Sequence, residues 1–172
     1  DKANVLPSMA FFRKIFDERA ARFPDIETER AYVDATALNM VRCPWKFDVM
    51  VMENMYGDIL SDLGAGLIGG MGMAPSADIG DEHAVFQPCH GSAPDIAGSG
   101  KANPTAMILS GAMLLEWLGD THNDPACAKA SALITEAVDR AFAGSQLRTC
   151  EFGGESGTQE IAEKVLENLE RL

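Results

Sequence analysis

Apolar residues recur at helical spacing along much of this chain and collect into one short unbroken run. Residues 7–23 carry Phe11, Ile15 and Phe16 on one stripe behind Pro7, which suits a first helical turn, and Pro24 ends the pattern. Residues 29–33 read as a short strand, and residues 35–41, with Leu38 and Val41, as a short helix stopped before Pro44. The run FDVMVM at 47–52 is apolar throughout and bounded by Pro44 and Asn54, the pattern of a strand buried on both faces. A helix follows from Asn54, then a loop over 72–82 and a strand over 84–87. Residues 90–104, HGSAPDIAGSGKANP, form a long loop of small and polar residues, a kind that in compact domains is as a rule functional. A strongly apolar helix over 105–118, broad enough to be central, precedes amphipathic helices over 125–142 (Leu133, Ile134, Val138) and 157–172 (Ile161, Val165, Leu166, Leu169), with a turn at Gly153-Gly154 between them. Strands alternating with helices predict an α/β fold.

Within residues 54–73, NMYGDILSDLGAGLIGGMGM, Asp58 and Asp62 stand four apart on one helical face. Stacked carboxylates repel unless a positive charge sits between them, and a hard divalent cation, Mg²⁺ or Mn²⁺, suits such a pair while keeping coordination positions open. On spacing alone, a solvated acidic face is the commoner meaning of the pattern. The glycines that follow stop the helix and give the backbone room to approach a ligand.

At 172 residues, 47% of them hydrophobic and 23% charged, the chain is long enough for a globular core. Fourteen Lys and Arg stand against 26 Asp and Glu, a net charge of -12 that repels nucleic-acid phosphates and argues against nucleic-acid binding. The cysteines Cys43, Cys89, Cys127 and Cys150 lie far apart without C-x-x-C or zinc spacing, which fits free thiols in a reducing cytoplasm. The most apolar stretch, AMILSGAMLLEWL, is interrupted by Ser110 and Glu116 and is too short to span a bilayer, so a soluble, membrane-free protein is expected. The opening DKANVL has no initiator Met and reads as the middle of an ordered element, which suggests a piece of a longer protein.

Two motif matches fail on context. Gly64-Ala65-Gly66-Leu67-Ile68-Gly69 fits G-x-G-x-x-G, but the dinucleotide fingerprint needs those glycines directly after a strand, and here a helical stretch intervenes. Gly100-Lys101 resembles the end of a phosphate-binding loop but has Asp95 where glycine is needed and Ala102 where Ser or Thr is needed.

Taken together, N-M-Y-G-D-I-L-S-D, Gly69-Gly70-Met71-Gly72-Met73 and H-G-S-A-P-D-I-A-G-S-G-K-A-N-P closely resemble the isocitrate and isopropylmalate dehydrogenase family of metal-dependent, β-decarboxylating enzymes. Asp1-Lys2-Ala3-Asn4-Val5-Leu6, Tyr32-Val33-Asp34, Phe47-Asp48-Val49 and Gly153-Gly154…Gly157-Thr158-Gln159-Glu160 look like further blocks in the family's order. The resemblance covers the whole chain but only the second half of a typical member. It implies an isopropylmalate dehydrogenase-like α/β fold, C-terminal half only and not a classical Rossmann fold. Residues 1–70 would be part of the central, dimer-forming substrate and metal domain, and residues 71–172 the C-terminal part of the cofactor-binding domain.

The resemblance also implies roles. Asp58 and Asp62 match metal carboxylates of one subunit, and Asp34 a third, supplied across a homodimer interface by the neighbour. Lys2 matches the catalytic lysine, also presented to the partner's site, and on its own it would read as a surface lysine. The ion, Mg²⁺ or Mn²⁺, would polarise the hydroxyl of a small 2-hydroxy acid as hydride leaves for NAD, and offset the charge left by departing CO₂. Lys2, close to that cation, would relay the hydroxyl proton. In the loop, His90 and Asn103 would contact adenine, and Gly91, Ser92 and Ala93 would let the backbone approach ribose and phosphates. Asp95, beside Ile96, would accept the ribose hydroxyls and favour NAD, since an acid there repels the extra phosphate of NADP; NADP-using relatives tend to carry Lys-Tyr in place of Asp95-Ile96. Gln87 and Ala35 depart from the family's usual Glu and Asn. The arginines that grip the substrate and the catalytic tyrosine belong to the absent first half, so the fragment alone is expected to be inactive. Isopropylmalate-like or tartrate/malate-like substrates are favoured over isocitrate-like ones. The rival readings are a non-catalytic regulatory subunit of a heteromeric relative and an oligomerisation module.

Overall fold

A computed structural model describes residues 1–144 and 146–172, and packing divides them into two compact units, Asp1–Leu67 and Ile68–Leu172.

Helix α1 spans Pro7–Ala20 with Pro at its first turn, α2 spans Val33–Arg42, and α3 spans Asn54–Ile68, all but the last residue of α3 belonging to the first unit. The start of α3 is set by Glu53, whose carboxylate accepts from the backbone N–H groups of Met55 and Tyr56, both at 3.1 Å. These are donors that a helix start leaves without intrahelical partners. Its end is set by Gly69 and Gly70, at φ +122° and +100°, a conformation closed to most side chains. Helix α3 buries Tyr56, Leu60 and Ala65, and α2 buries Thr36 and Met40, while α1 buries nothing, so the expected stripe of Phe11 and Ile15 faces solvent.

Two expected strands are absent. Residues 29–32 are coil, tied to the chain start where Asp1 N donates to Ala31 O at 3.0 Å and Val33 N to Asp1 O at 2.8 Å. Residues 47–52 are also coil, with Val49 88% exposed. An apolar run becomes a strand only when neighbouring strands take up its backbone donors and acceptors, and nothing among the described residues does so here.

The second unit holds the sheet. Strand β1, Pro75–Ile79, pairs antiparallel with β2, Ala84–Pro88, in the register Pro75↔Pro88 to Ile79↔Ala84. Strand β1 lies in a stretch expected to be loop; the turn closed by Gly80 N donating to His83 O (2.9 Å) folds it onto β2. Helix α4, Thr105–His122, packs on both strands, with Phe86 and Trp117 ring centres 6.2 Å apart, and also on α5, Pro125–Phe142. Helix α4 runs one turn past its expected end, to Asn123 in the left-handed conformation. Asp124 then caps α5, accepting from Ala126 N at 2.9 Å ahead of Pro125. Helix α6, Thr158–Leu169, packs on α5. Ala137, Val138, Ala141, Leu147, Ile161 and Val165 form the core, flanked by Ile108, Leu109, Phe142 and Leu169. The G-x-G-x-x-G match falls on α3 and the turn that ends it, and no helix among the described residues is long and apolar enough to cross a membrane.

Candidate functional site

Lys2 is held by local geometry. Its carbonyl accepts from Val5 N (3.0 Å) and Leu6 N (2.9 Å), a turn that delivers the chain into α1. Its ammonium reaches Asp34, in the first turn of α2, at 2.7 Å and lies 5.6 Å from the centre of the Tyr32 ring. Arg13, on α1, stacks on the same ring at 5.0 Å and grips Asp1 with two hydrogen bonds of 2.8 and 2.7 Å. Ala3 N also donates to Asp1, at 2.8 Å. Tyr32 thus serves two cations, each with its own carboxylate, and cation–π attraction adds to the ion pairs. The hydrogen bond from Lys2 holds the Asp34 carboxyl below its ordinary range, outweighing the opposing desolvation. The structure therefore brings Lys2 and Asp34 together, though they stand far apart in sequence, and adds Arg13 together with Asp1 and Tyr32, which the sequence reading placed in family-like blocks without a role. The one signal for Tyr32 is its place two residues before Asp34.

Asp58 and Asp62 are both exposed on α3, and Asp58 accepts from Asn54 Nδ2 at 3.3 Å. Two hard oxygen donors a turn apart suit Mg²⁺ or Mn²⁺, which bind through one or two carboxylates and keep several waters. Among the described residues no three His, Cys, Asp or Glu side chains converge, so Asp34 does not join Asp58 and Asp62 within one chain.

The 90–104 loop belongs to the second unit. Gly91, Ser92, Ala93 and Asp95 are exposed, and Asp95 and Ile96 lie in a single 3-10 turn, Pro94–Ile96. Ala93 sits at φ 42°, the left-handed region that L residues enter rarely, and His90 Nδ1 lies 2.9 Å from Gly91 O. A Cβ at Gly91 would meet nothing within 4 Å, so this part of the backbone is open to approach. Asn103 is different. It is 7% exposed, and its side chain is committed inside the protein. Nδ2 donates to Glu151 Oε2 (3.2 Å) and lies 3.2 Å from Met73 Sδ, while Oδ1 accepts from Thr105 N (3.1 Å) and Thr105 Oγ1 (2.6 Å). The Asn103 amide, expected to contact adenine, is thus spent on contacts within the fold.

Comparison with known proteins now fixes the class. The family model described as isocitrate/isopropylmalate dehydrogenase matches residues 1–165. A 3-isopropylmalate dehydrogenase of Aquifex aeolicus is 47% identical over 176 residues, covering 100% of this chain and 46% of the relative. An isocitrate/homoisocitrate dehydrogenase of Thermus thermophilus is 47% identical over 172 residues, 99% of this chain and 49% of the relative. Among solved structures, an isocitrate dehydrogenase from Methylococcus capsulatus aligns at TM-score 0.86 and 44% identity over 98% of this chain and 48% of its own. The fold is the helix-rich α/β fold of these dehydrogenases, represented in part. The chain belongs to the isocitrate/isopropylmalate dehydrogenase family, and it spans about half the length of the curated relatives it matches.

Proposed function

We propose that the protein to which this chain belongs oxidises and decarboxylates a 2-hydroxy acid with NAD and Mg²⁺ or Mn²⁺, as a homodimer whose active sites are shared between subunits. The observation that carries the reading is the pairing of Lys2 Nζ with Asp34 at 2.7 Å, which presents a proton-carrying group and a hard oxygen ligand as one unit. Asp58 and Asp62 would hold the ion, which when bound supplies electron withdrawal from the substrate's hydroxyl and carboxylate oxygens. As the neutral amine, Lys2 Nζ would take the hydroxyl proton; Asp34 and the Tyr32 ring would hold the ammonium so formed, which later returns the proton. Separation of Asp34 from Asp58 and Asp62 within one chain supports the shared-site reading, since the third carboxylate then comes from a neighbour. The exposed Gly91 to Asp95 backbone supports a nucleotide lying along the loop, with Asp95 on the ribose hydroxyls. Isopropylmalate-like and tartrate- or malate-like acids are the favoured substrates, with isocitrate and homoisocitrate the next to try. Retention of Lys2, Asp34, Asp58 and Asp62 speaks against a regulatory subunit.

The test is NADH and CO₂ formation by the full-length protein with each of these acids, with and without Mn²⁺. Turnover of one acid that vanishes on chelation is expected. No turnover of any of them, or turnover indifferent to metal, would refute the reading.

A further inference from the structure

Three segments distant in sequence meet on one carboxylate in the second unit. Glu151 Oε1 accepts from Gly72 N at 3.1 Å, and Oε2 accepts from Asn103 Nδ2 at 3.2 Å and Thr149 Oγ1 at 2.9 Å. The fit is tight, because a Cβ at Gly72 would fall 2.7 Å from the Asn103 Cβ and would overlap the Glu151 carboxylate. The loop's downstream end has a second anchor, Thr158 N donating to Gly100 O at 2.8 Å and Thr158 Oγ1 to Ala102 O. Residues 100–103 are thus fastened to the 149–158 segment, while Gly91, Ser92 and Ala93 stand open.

We infer that Glu151 is a positioning residue for the cofactor: it fixes the Asn103 amide and so sets the backbone edge that the loop offers to the adenosine moiety. The inference rests on the reading of residues 90–104 as the nucleotide site and adds a residue to it. All three partners of the carboxylate are donors, so its role depends on an acceptor-only group. A carboxylate has acceptor sites for all three, whereas a glutamine of the same shape turns an NH₂ toward at least one donor. A residue that merely filled space would be replaced by glutamine without loss.

The experiment is NAD binding, by titration of intrinsic fluorescence, to full-length wild-type protein and its Glu151→Gln, Thr149→Val and Asp95→Lys variants, with steady-state kinetics alongside. Glu151→Gln is expected to raise the NAD dissociation constant about tenfold, the scale of one lost charge-assisted hydrogen bond. The KM for the hydroxy acid and kcat at saturating NAD should stay within about twofold, a split that a general loss of folding would not produce. Thr149→Val removes a single donor and is expected to weaken NAD binding in the same direction; it decides the matter if Glu151→Gln fails to fold. Wild-type NAD affinity in the folded variants, or equal damage to both substrates, would overturn the inference. Asp95→Lys separates the two levels: if it too leaves NAD affinity unchanged, the nucleotide reading of the loop falls and this inference with it. A normal response at Asp95 with none at Glu151 would sink only the inference.

Discussion

Helices α3 and α5 both carry a regular apolar periodicity, yet they end in different surroundings. Helix α5 lies between α4 and α6 and closes a core in which Ala137 and Ile161 are wholly inaccessible. Helix α3 buries Tyr56, Leu60 and Ala65 but leaves Met55 and Ile59 more than half exposed on the side that carries Asp58 and Asp62. Helix α2 does likewise with Leu38 and Val41. The second unit covers the apolar face of α5, while Ile79, Val85, Met107 and Leu166 stay exposed on its other elements. The first unit carries the proposed proton relay and metal carboxylates on elements whose apolar faces are not covered within the chain. Exposed apolar side chains on these elements are what the proposed subunit interface would cover. Residues that serve a site shared between subunits would stand on such elements, while a nucleotide loop needs only a rigid platform, which α4 and α6 supply.

The sharpest way to break this comparison is chemical. In the full-length enzyme, Lys2→Met should lower kcat by about 10²- to 10⁴-fold, the usual worth of a positioned acid–base group, with the melting temperature little changed. A kcat near wild type would remove Lys2 from the reaction. A stability pair comes next. Ile161→Ala, at a wholly buried core position, should cost about 2–5 kcal/mol in denaturant titrations, whereas Ile59→Ser on the open face of α3 should change the stability of the isolated chain by no more than about 0.5 kcal/mol. The same Ile59→Ser change should weaken self-association, read by sedimentation. Equal costs at the two positions would erase the contrast between the units. Smaller is the metal effect: millimolar Mn²⁺ should raise the melting temperature of the full-length protein by mass action on the folded state, and Asp62→Asn should remove most of that rise. A full shift in the variant would move the ion elsewhere.

The smallest effect is a pH dependence at the cap of α5. The hydrogen bond from Ala126 N is the largest of the influences that depress the Asp124 pKa below its ordinary value. A depressed folded-state pKa means that this contribution is complete above about pH 4 and fades as pH falls through the lower, native value. Asp124→Asn keeps a capping oxygen without a titrating group, so wild type should lose its advantage over the variant only in acid. A difference between them that is the same at pH 3 and pH 7 would contradict the assignment.

Where local pattern and tertiary surroundings agree, the chain was readable from sequence. Helix α5 matches its expected bounds of 125–142, because Asp124-Pro125 opens it and its apolar stripe meets a core present in the same unit. Strand β2 was visible for a similar reason, while β1, PSADI, was not. Its Ser, Asp and Pro have little strand preference, and it exists through pairing with β2 across the Gly80–His83 turn. The run at 47–52 failed in the opposite direction, with strong preference and no partner. For the site, Lys2 and Asp34 were legible only as blocks of a family pattern; nothing in their spacing announces a 2.7 Å pair. Arg13 and Glu151 were missed, and Tyr32 was left without a role, because their meaning lies in what they touch. Asn103 was noticed for its place in the loop, but the direction of its side chain is decided by Glu151 and Thr105.

Gly72 carries a consequence for how such chains diverge. With Asn103 and Glu151 filling the space a Cβ would need, positions 72, 103 and 151 cannot drift independently. A side chain gained at 72 has to displace the Glu151 carboxylate from its donors and push back the less yielding Asn103 Cβ. Across relatives the three positions should therefore vary as a set or not at all. A lineage that altered one of them would carry the record of that step in the other two.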